Sequence, residues 1–186
     1  MLPIAINVAK LQIALVGDSK SVARRLALLD QAGAGDNIKV FSQAPCKPLV
    51  KIANDRLIKR WPTADELQDC AIVLGADLEE EQERLLAEMA RKSKALLNIE
   101  DRRQYCDFYY ASIIRRGDLV FSVNTNGKSP ALAMRMRKKL KELFPPIWAK
   151  RLDELAQLRQ TWKKEGASFK EVLEKSNVKI DEYFKD

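Results

Sequence analysis

The stretch LVGDSKSVARRLALLDQAGA, residues 15–34, decides the fold class of this chain. Its aliphatic start predicts a buried strand, Gly17 marks a turn, and Val22, Leu26 and Leu29 then recur on one face of a helix. A strand that runs through a turn into an amphipathic helix is the first half of a βαβ unit. The stretch therefore predicts a parallel sheet with helices packed against it.

Four short aliphatic runs recur in the first part of the chain, with helical patterns between several of them. They are QIALV (12–16), IKVF (38–41), AIVLG (71–75) and ALLNI (95–99). Each is long enough for a buried strand. Strands that alternate with helices imply right-handed crossovers and mostly parallel pairing. We therefore predict an α/β fold with a Rossmann-like parallel sheet over residues 1–110.

The pattern changes after this region. The runs FYYASII (108–114) and LVFSVN (119–124) flank a tight turn at Gly117 and predict an antiparallel strand pair. Ser129 followed by Pro130 predicts the start of a helix. We therefore expect a small strand region over residues 111–128 and a helical domain over residues 129–186.

The helical domain carries apolar stripes that we expect to lie in a core. The first helix, up to the break at Pro145-Pro146, has the stripe Leu132, Met136, Leu140 and Leu143. A second helix is predicted through Trp148, Leu152, Leu155 and Trp162, with two shorter segments around residues 169–173 and 180–184.

The composition narrows the chemistry. Histidine is absent, which excludes Ser-His-Asp and Cys-His nucleophile schemes and removes the commonest metal ligand. Three cysteines without a CxxC pair indicate no disulfide framework and favour a reducing compartment. We expect a cytoplasmic protein without a signal peptide or a membrane span. A formal net charge of +7 favours an anionic partner.

The turn at Gly17 has two interpretations. Dinucleotide-binding loops read G-x-G-x-x-G, and the matching positions here are Gly17, Ser19 and Val22. Ser42 and Gln43 stand where such folds place a ribose-binding acid after the second strand. Ser19 is small and still offers donors to a phosphate at a helix N-terminus. From these residues, a structural turn and a nucleotide-binding loop stay equally open.

Two longer stretches resemble the precorrin-2 dehydrogenase family, the N-terminal module of siroheme synthases. They are LPIAINVAKLQIALVGDSKSVARRLALLDQAGA (2–34) and LLNIEDRRQYCDFYYASIIRRGDLVFSVNTNGKSPALAMRMRKKL (96–140), and the most specific parts are NIED, CDF and NTNGKSPALA. The resemblance implies an enzyme that oxidises precorrin-2 to sirohydrochlorin with NAD. Some members also insert ferrous iron. It further implies a homodimer with a Rossmann-like domain, a dimerisation strand region and a helical tail.

The resemblance also implies roles for individual residues. The catalytic aspartate of the family corresponds to Asp101, which is also the tentative, transient metal contact. The cofactor-binding residues are Gly17, Asp18, Ser19, Lys20, Ser21, Gln43 and Ala44. The substrate-binding residues are Asn98, Arg115, Arg116, Thr125, Asn126, Gly127 and Lys128. The many carboxylates of precorrin-2 suit the basic side chains in this set, together with Arg135 and Arg137.

Each assignment has an alternative. From the residues alone, Asp101 is more readily a solvated acid or a turn residue. The GKS run at residues 127–129 lacks the first glycine of a P-loop and precedes Pro130, which argues against a nucleotide triphosphatase. A tetrapyrrole-binding or chelatase-only relative that has lost NAD binding is a second function. A nucleic-acid module is a third, supported only by charge and by RMRKKLKE, and we expect no nucleic-acid partner.

Overall fold

The structure is a computed structural model that describes residues 2–185, and the chain forms two compact units. The first unit, Met1–Tyr109, contains a five-stranded sheet. Its strands are β1 (Ile13–Val16), β2 (Ile38–Phe41), β3 (Leu57–Ile58), β4 (Ile72–Gly75) and β5 (Leu96–Ile99). The strand order is β3-β2-β1-β4-β5, and every pair is parallel. The α/β fold class predicted from the sequence is confirmed.

Four helices connect these strands. They are α1 (Lys20–Gln31), α2 (Lys47–Ala53), α3 (Ala64–Gln68) and α4 (Glu80–Ser93). Side chains of β1 alternate between the two faces of the sheet. Leu15 packs in one buried cluster with Val22 and Leu26, whereas Val16 packs in another with Leu86. Both faces are therefore covered, which explains why the strands read as continuous aliphatic runs.

Three elements of this unit were not anticipated from periodicity, namely α2, β3 and α3. Each is short, so it contains too few apolar residues to show a helical or strand periodicity. The start of α3 does carry a local signal, because Thr63 accepts from the amide of Glu66 and the Glu66 carboxylate accepts from the amide of Thr63. This reciprocal cap is the S/T-x-x-E pattern that marks helix N-termini.

The second unit, Tyr110–Asp186, contains a strand pair and three helices. The strands β6 (Ser112–Arg116) and β7 (Leu119–Val123) are antiparallel, and the helices are α5 (Pro130–Leu143), α6 (Trp148–Lys164) and α7 (Phe169–Tyr183). Ser129 caps α5, since its hydroxyl accepts from the amide of Leu132 at 3.2 Å. The predicted helix start and the break at Pro145-Pro146 are therefore confirmed.

Aromatic side chains form the centre of the second unit. The ring of Phe144 lies 4.4 Å from that of Phe121 and 5.3 Å from that of Trp148, measured between centroids. Trp148 also contacts Tyr183 and Phe184, so the cluster joins β7 to the ends of α5, α6 and α7. These aromatic contacts tie the three helices to the strand pair.

Three expectations for this part of the chain are wrong. The stripe on α5 does not lie in a core, since Leu132, Met136 and Leu143 are 52%, 44% and 60% exposed. The two short segments near the end are one helix, α7, because Ser176 in its middle is buried and its hydroxyl donates to the carbonyl of Val172.

The strand expected from residue 108 begins at Ser112 instead. The reason is that the preceding backbone is held by β5: the amide of Asp107 donates to the carbonyl of Leu97, and the side chain of Asn98 donates to the carbonyl of Phe108.

Candidate functional site

The carboxyl edge of the sheet carries the candidate site. The chain leaves β1 toward β2 on one side and leaves β4 toward β5 on the other, although β1 and β4 are neighbours. This reversal of direction opens a crevice beyond the strand ends, where open α/β sheets bind their ligands. Gly17 follows β1 and Ala76 follows β4, so both lie at this crevice.

Gly17 is held by close contacts on two sides. Its φ is +133°, and its amide donates to the carbonyl of Phe41 at 3.0 Å. A Cβ atom at this position would lie 2.3 Å from the carbonyl oxygen of Ala76 and 2.9 Å from Cγ2 of Val22. Glycine is therefore required here, both by the backbone conformation and by the approach of the segment after β4.

The start of α1 presents hydrogen-bond donors at the crevice. The hydroxyl of Ser19 caps the helix by accepting from the amide of Ser21 at 3.0 Å. Among the described residues, none accepts from the backbone amides of Asp18, Ser19 and Lys20. The side chain of Lys20 is exposed beside them. Donors of this kind at a helix N-terminus suit a phosphate group.

Asp18 joins two loops at the same edge. Its carboxylate accepts from the hydroxyl of Ser42 at 2.5 Å and from the amide of Ala44 at 3.1 Å. Its carbonyl accepts from the amide of Cys46 at 2.9 Å. The Asp18 carboxylate is therefore held against the segment that follows β2. A pyrophosphate at the start of α1 would meet amides and hydroxyls there, so the residues present fit a dinucleotide.

Of the other predicted cofactor contacts, two lie close to Asp18, and the hydroxyl of the third already accepts one hydrogen bond. Ala44 is the amide donor described above, and Gln43, beside it, has an exposed side chain. Ser21 accepts from the guanidinium of Arg24 through its hydroxyl at 2.8 Å. The structure thus brings the predicted residues of the first and second loops together at one edge of the sheet.

Asp101 lies in a turn directly after β5, on the same carboxyl edge. Its φ is +61°, and its exposed side chain makes no hydrogen bond or ion pair with the described part of the chain. The turn is closed by two backbone bonds: the amide of Glu100 donates to the carbonyl of Gly75, and the amide of Arg102 donates to the carbonyl of Ile99. The carboxylate is therefore presented to solvent on a well-connected backbone.

Ion pairs hold this turn on both sides of Asp101. Glu100 lies 3.6 Å from the guanidinium of Arg25 on α1. Arg102 donates at 2.7 Å to Glu83, a carboxylate of α4 that is 96% buried. The hydrogen bond to Glu83 raises the pKa of the Arg102 guanidinium above its ordinary value. Sequence reasoning missed Arg25 and Glu83, and nothing in the local pattern distinguishes Glu83 from the acids around it.

Asn98 is buried in β5 and both ends of its side-chain amide are engaged. Its oxygen accepts from Arg25 at 2.8 Å, and its nitrogen donates to the carbonyl of Phe108 at 2.8 Å. Cys106 lies beside it, and burial raises the pKa of that thiol. Asn98 therefore connects α1, β5 and the segment after Asp101, and its assignment as a substrate contact stays a prediction.

The remaining predicted substrate contacts lie in the second unit. The Thr125 hydroxyl both accepts from the amide of Ser129 and donates to its carbonyl, so it belongs to the start of α5. Asn126 and Gly127 form the preceding turn, with φ of +56° and +71°. Lys128 at its end has an exposed side chain.

The two arginines of β6 differ. Arg116 donates from Nε to the carbonyl of Phe144 at 2.8 Å, which ties the strand to the end of α5. Arg115 has an exposed side chain. On α5, Arg137 donates in a similar way to the carbonyl of Ile113. Among the seven predicted substrate-binding residues, Arg115 and Lys128 are therefore the exposed cations, whereas the guanidinium of Arg116 is bonded to a backbone carbonyl.

Two kinds of feature are absent from residues 2–185. No group of three or more Asp, Glu or Cys side chains there is arranged to hold a metal ion. No helix in that range is long and apolar enough to cross a membrane.

Comparisons with known proteins match both the sheet and the whole chain. A family model described as putative NAD(P)-binding matches residues 4–112. The siroheme synthase of Baumannia cicadellinicola is 29% identical over 165 residues, which cover 87% of this chain and 34% of the relative. The siroheme synthase of Nitrosococcus oceani is 29% identical over 152 residues, or 80% of this chain and 32% of the relative. The chain thus spans about a third of the length of these relatives.

A solved structure has the same architecture. It is that of SirC, a precorrin-2 dehydrogenase, which matches with a TM-score of 0.78 over 99% of this chain and 92% of its own, at 18% sequence identity. At that identity the likeness shows the fold, and it agrees with the Rossmann-like arrangement described above.

Proposed function

We propose that this chain, which belongs to the family of putative NAD(P)-binding proteins, oxidises precorrin-2 to sirohydrochlorin with NAD as a step in siroheme biosynthesis. The resemblance read from the sequence is confirmed at the level of the family. The curated relatives are named siroheme synthases and the solved neighbour is named a precorrin-2 dehydrogenase, which supports the proposal. One observation carries it: an exposed carboxylate, Asp101, and an amide-rich helix start lie on one edge of a parallel sheet.

The first loop supplies the cofactor site in this proposal. The amides of Ser19 and Lys20 would bind the pyrophosphate, and the positive end of the α1 dipole would lower the free-energy cost of holding its charge. Gly17 allows the segment after β4 to approach the loop. A nicotinamide held there would supply the acceptor for the hydride that the substrate loses.

Asp101 takes the proton in this proposal. Dehydrogenation removes a hydride and a proton from precorrin-2, and an ionised carboxylate at the site can accept that proton. The flanking ion pairs to Arg25 and Glu83 hold the Asp101 turn in place, and positioning of this kind is a large part of catalysis. Arg25 and Glu83 are positioning residues, since they act through the backbone of the turn.

The second unit supplies positive charge for the substrate. Precorrin-2 carries many carboxylates, and we propose that the exposed side chains of Arg115 and Lys128 attract them. The turn at Asn126 and Gly127 is the remaining proposed contact; the amides of Asn126, Lys128 and Ser129 already donate within this segment. The net charge of +7 acts in the same direction.

We also propose that the chain forms a homodimer through the strand region over residues 111–128 together with the apolar face of α5. Leu132, Met136 and Leu143 on this helix are about half exposed, and a second copy that covers them removes this surface from water. Sedimentation or light scattering measures the mass directly. Met136→Glu is expected to lower it to that of one chain, and a single-chain mass for the wild type would contradict the dimer.

Insertion of ferrous iron is a second proposed activity. The reaction releases two pyrrole protons from sirohydrochlorin, and Asp101 is an acceptor of suitable charge that can also hold the ion transiently. Purified protein given sirohydrochlorin and ferrous iron tests this step, because siroheme and sirohydrochlorin differ in absorption. A rate no higher than that without protein would exclude it.

The main experiment is anaerobic conversion of precorrin-2 with NAD, followed by the absorption of sirohydrochlorin. Asp101→Asn keeps the size of the side chain and tolerates positive φ, and it is expected to lower kcat by about 100-fold or more. Asp77→Asn is a matched control. Asp77 is also exposed, follows β4 on the same edge and has φ +50°, and its change is expected to leave the rate within a few-fold.

The outcomes separate the candidate functions. A folded wild-type protein that does not convert precorrin-2 would refute the dehydrogenase. If that protein also gave no binding heat with NAD but still bound sirohydrochlorin, a tetrapyrrole-binding or chelatase-only relative would be favoured. Equal losses in the Asp101 and Asp77 variants would show that Asp101 has no special role. The cytoplasmic location and the absence of a nucleic-acid partner stay predictions.

A further inference from the structure

The end of β2 lacks the acid that dinucleotide-binding sheets place there. In such folds an Asp or Glu after the second strand accepts a hydrogen bond from the adenosine ribose, and its charge favours NAD over NADP. Here β2 ends at Phe41, and the next residues are Ser42, Gln43 and Ala44. None of these three side chains carries a negative charge.

A carboxylate nevertheless lies at this place, and it comes from the other loop. Asp18, which follows Gly17 after β1, contacts Ser42 and Ala44 through its Oδ1 atom at 2.5 and 3.1 Å. The bond between its carbonyl and the amide of Cys46 fixes the backbone on the same side. Asp18 therefore puts a negative charge at the end of β2, although it lies 24 residues earlier in the sequence than Ser42.

The second oxygen of Asp18 is available for a ligand. Oδ1 takes both donors, whereas Oδ2 accepts no hydrogen bond from residues 2–185. A carboxylate can accept about four hydrogen bonds. Asp18 is only partly buried, and the neighbouring Gln43 and Ala44 are exposed, so a hydroxyl can reach this oxygen from solvent.

The cations near the end of β2 are exposed or already paired. The segment from Ser42 to Cys46 contains no basic residue. The nearest lysines in sequence, Lys20 and Lys47, are the first residues of α1 and α2, and both side chains are exposed. An exposed lysine offers a 2′-phosphate only weak, screened attraction. The guanidinium of Arg60 lies 6.0 Å from the ring centroid of Phe41, but it is paired with Glu66 through hydrogen bonds of 2.8 and 2.7 Å. The carboxylate of Asp18 is the charged group that hydrogen-bonds directly to the segment after β2.

We propose that Asp18 determines which dinucleotide this chain accepts. Its Oδ2 accepts from the hydroxyls of the adenosine ribose, and its negative charge repels the 2′-phosphate of NADP. The bonds from Ser42 and Ala44 hold the carboxylate in place for this role. The inference rests on the proposed use of a nicotinamide dinucleotide and adds the residue that selects between the two forms.

Calorimetric titration of the purified chain with NAD and with NADP tests the proposal. The wild type is expected to bind NAD about tenfold more tightly than NADP. Added salt is expected to bring the ratio of the two dissociation constants closer to one, because salt screens the repulsion between the carboxylate and the 2′-phosphate. Asp18→Asn keeps an oxygen that can accept from Ser42 and Ala44 but removes the charge. It is expected to bring the ratio close to one.

The control is Asp36→Asn. Asp36 lies in the turn before β2, at the opposite edge of the sheet, so the same change in net charge is made away from the crevice. This variant is expected to keep the wild-type ratio. Urea midpoints of both variants show whether the first loop stays folded. Asp18→Glu, which keeps the charge on a longer side chain, is expected to retain part of the preference for NAD.

Three results would overturn the inference: equal binding of NAD and NADP by the wild type, an unchanged ratio in Asp18→Asn, or no binding of either dinucleotide by folded protein. The proposed reaction fails separately. If the ratio changes as expected but precorrin-2 is not converted, the reaction is wrong and the role of Asp18 stands. If precorrin-2 is converted but the ratio is unchanged in Asp18→Asn, the inference alone is wrong.

Discussion

Replacing Gly17 with alanine tests the geometry on which the candidate site depends. The new methyl group would lie 2.3 Å from the carbonyl oxygen of Ala76 and 2.9 Å from Cγ2 of Val22, and φ at this position is +133°. The oxygen belongs to the backbone after β4, and the methyl group belongs to a fully buried side chain of α1. Neither neighbour can move without displacing an element of the sheet edge.

Two costs add in this variant. An L-residue held in a sparsely populated region of positive φ costs about 1–3 kcal/mol. The segment at Ala76 must move by about 1 Å to restore ordinary contact, and overpacking of this kind costs about 1–3 kcal/mol. The sum is about 2–6 kcal/mol. This is a large part of the free energy of unfolding of a whole domain, which is typically about 5–15 kcal/mol. For a unit near 100 residues each kcal/mol lowers Tm by about 4 °C, so we expect a fall of roughly 8 °C or more.

Two other glycines separate the costs. Gly33 has φ +86° and open space around its Cβ position, so Gly33→Ala measures the backbone cost alone. Gly75 has no positive φ, and its Cβ would meet the tips of the Leu78 and Leu86 side chains at 2.9 and 3.0 Å and Cγ1 of Ile99 at the ordinary contact distance of 3.4 Å. Gly75→Ala therefore measures a contact that flexible side chains can relieve.

Urea unfolding followed by circular dichroism gives the free energy of unfolding of each variant. We expect Gly17→Ala to lose more than the sum of the other two, because its steric cost falls on backbone. A loss no larger than that of Gly33→Ala would refute the close approach of Ala76, and with it the requirement for glycine at the start of the loop.

Three further predictions concern stability. The hydrogen bond from Arg60 holds the pKa of Glu66 at about 2 instead of 4.5. This pair therefore stabilises the fold above about pH 4.5, and its contribution is lost as the pH falls toward about 2. In Glu66→Gln the urea midpoint should depend less on pH over that range. Asp107→Ala leaves the amide of Leu97 without its acceptor and should cost about 1–3 kcal/mol in urea unfolding, most of which Asp107→Asn should restore. Burial raises the pKa of Tyr183 from 10.0 to about 12. The free energy of unfolding of the wild type should therefore fall as the pH rises from about 10 to about 12. Tyr183→Phe should not show this fall. A pH dependence of stability that is the same in the variant as in the wild type would contradict the predictions for Glu66 and Tyr183. An unchanged urea midpoint in Asp107→Ala would contradict the one for Asp107.

The sequence by itself determined the elements whose signals are local. The strands β1, β2, β4 and β5 were predicted to within one residue, and Ser129 marked the start of α5, because a strand needs only a short aliphatic run and a helix cap needs only one side chain. The parallel arrangement followed, since strands joined through helices pair in that way. The resemblance in the NIED segment pointed to Asp101, and the structure places that residue at the carboxyl edge of the sheet.

Only the tertiary structure decided how residues far apart in sequence meet. The bond between Asp18 and Ser42 and the pairing of Arg102 with Glu83 join positions 24 and 19 residues apart. Local periodicity reports which face of an element is apolar, but it does not report what covers that face, which is why the exposed stripe of α5 was expected in a core. The sequence around β2 contains no acid at the end of that strand. Asp18, which follows β1, supplies one there, because parallel pairing of β1 with β2 brings the loops after both strands to the same edge of the sheet.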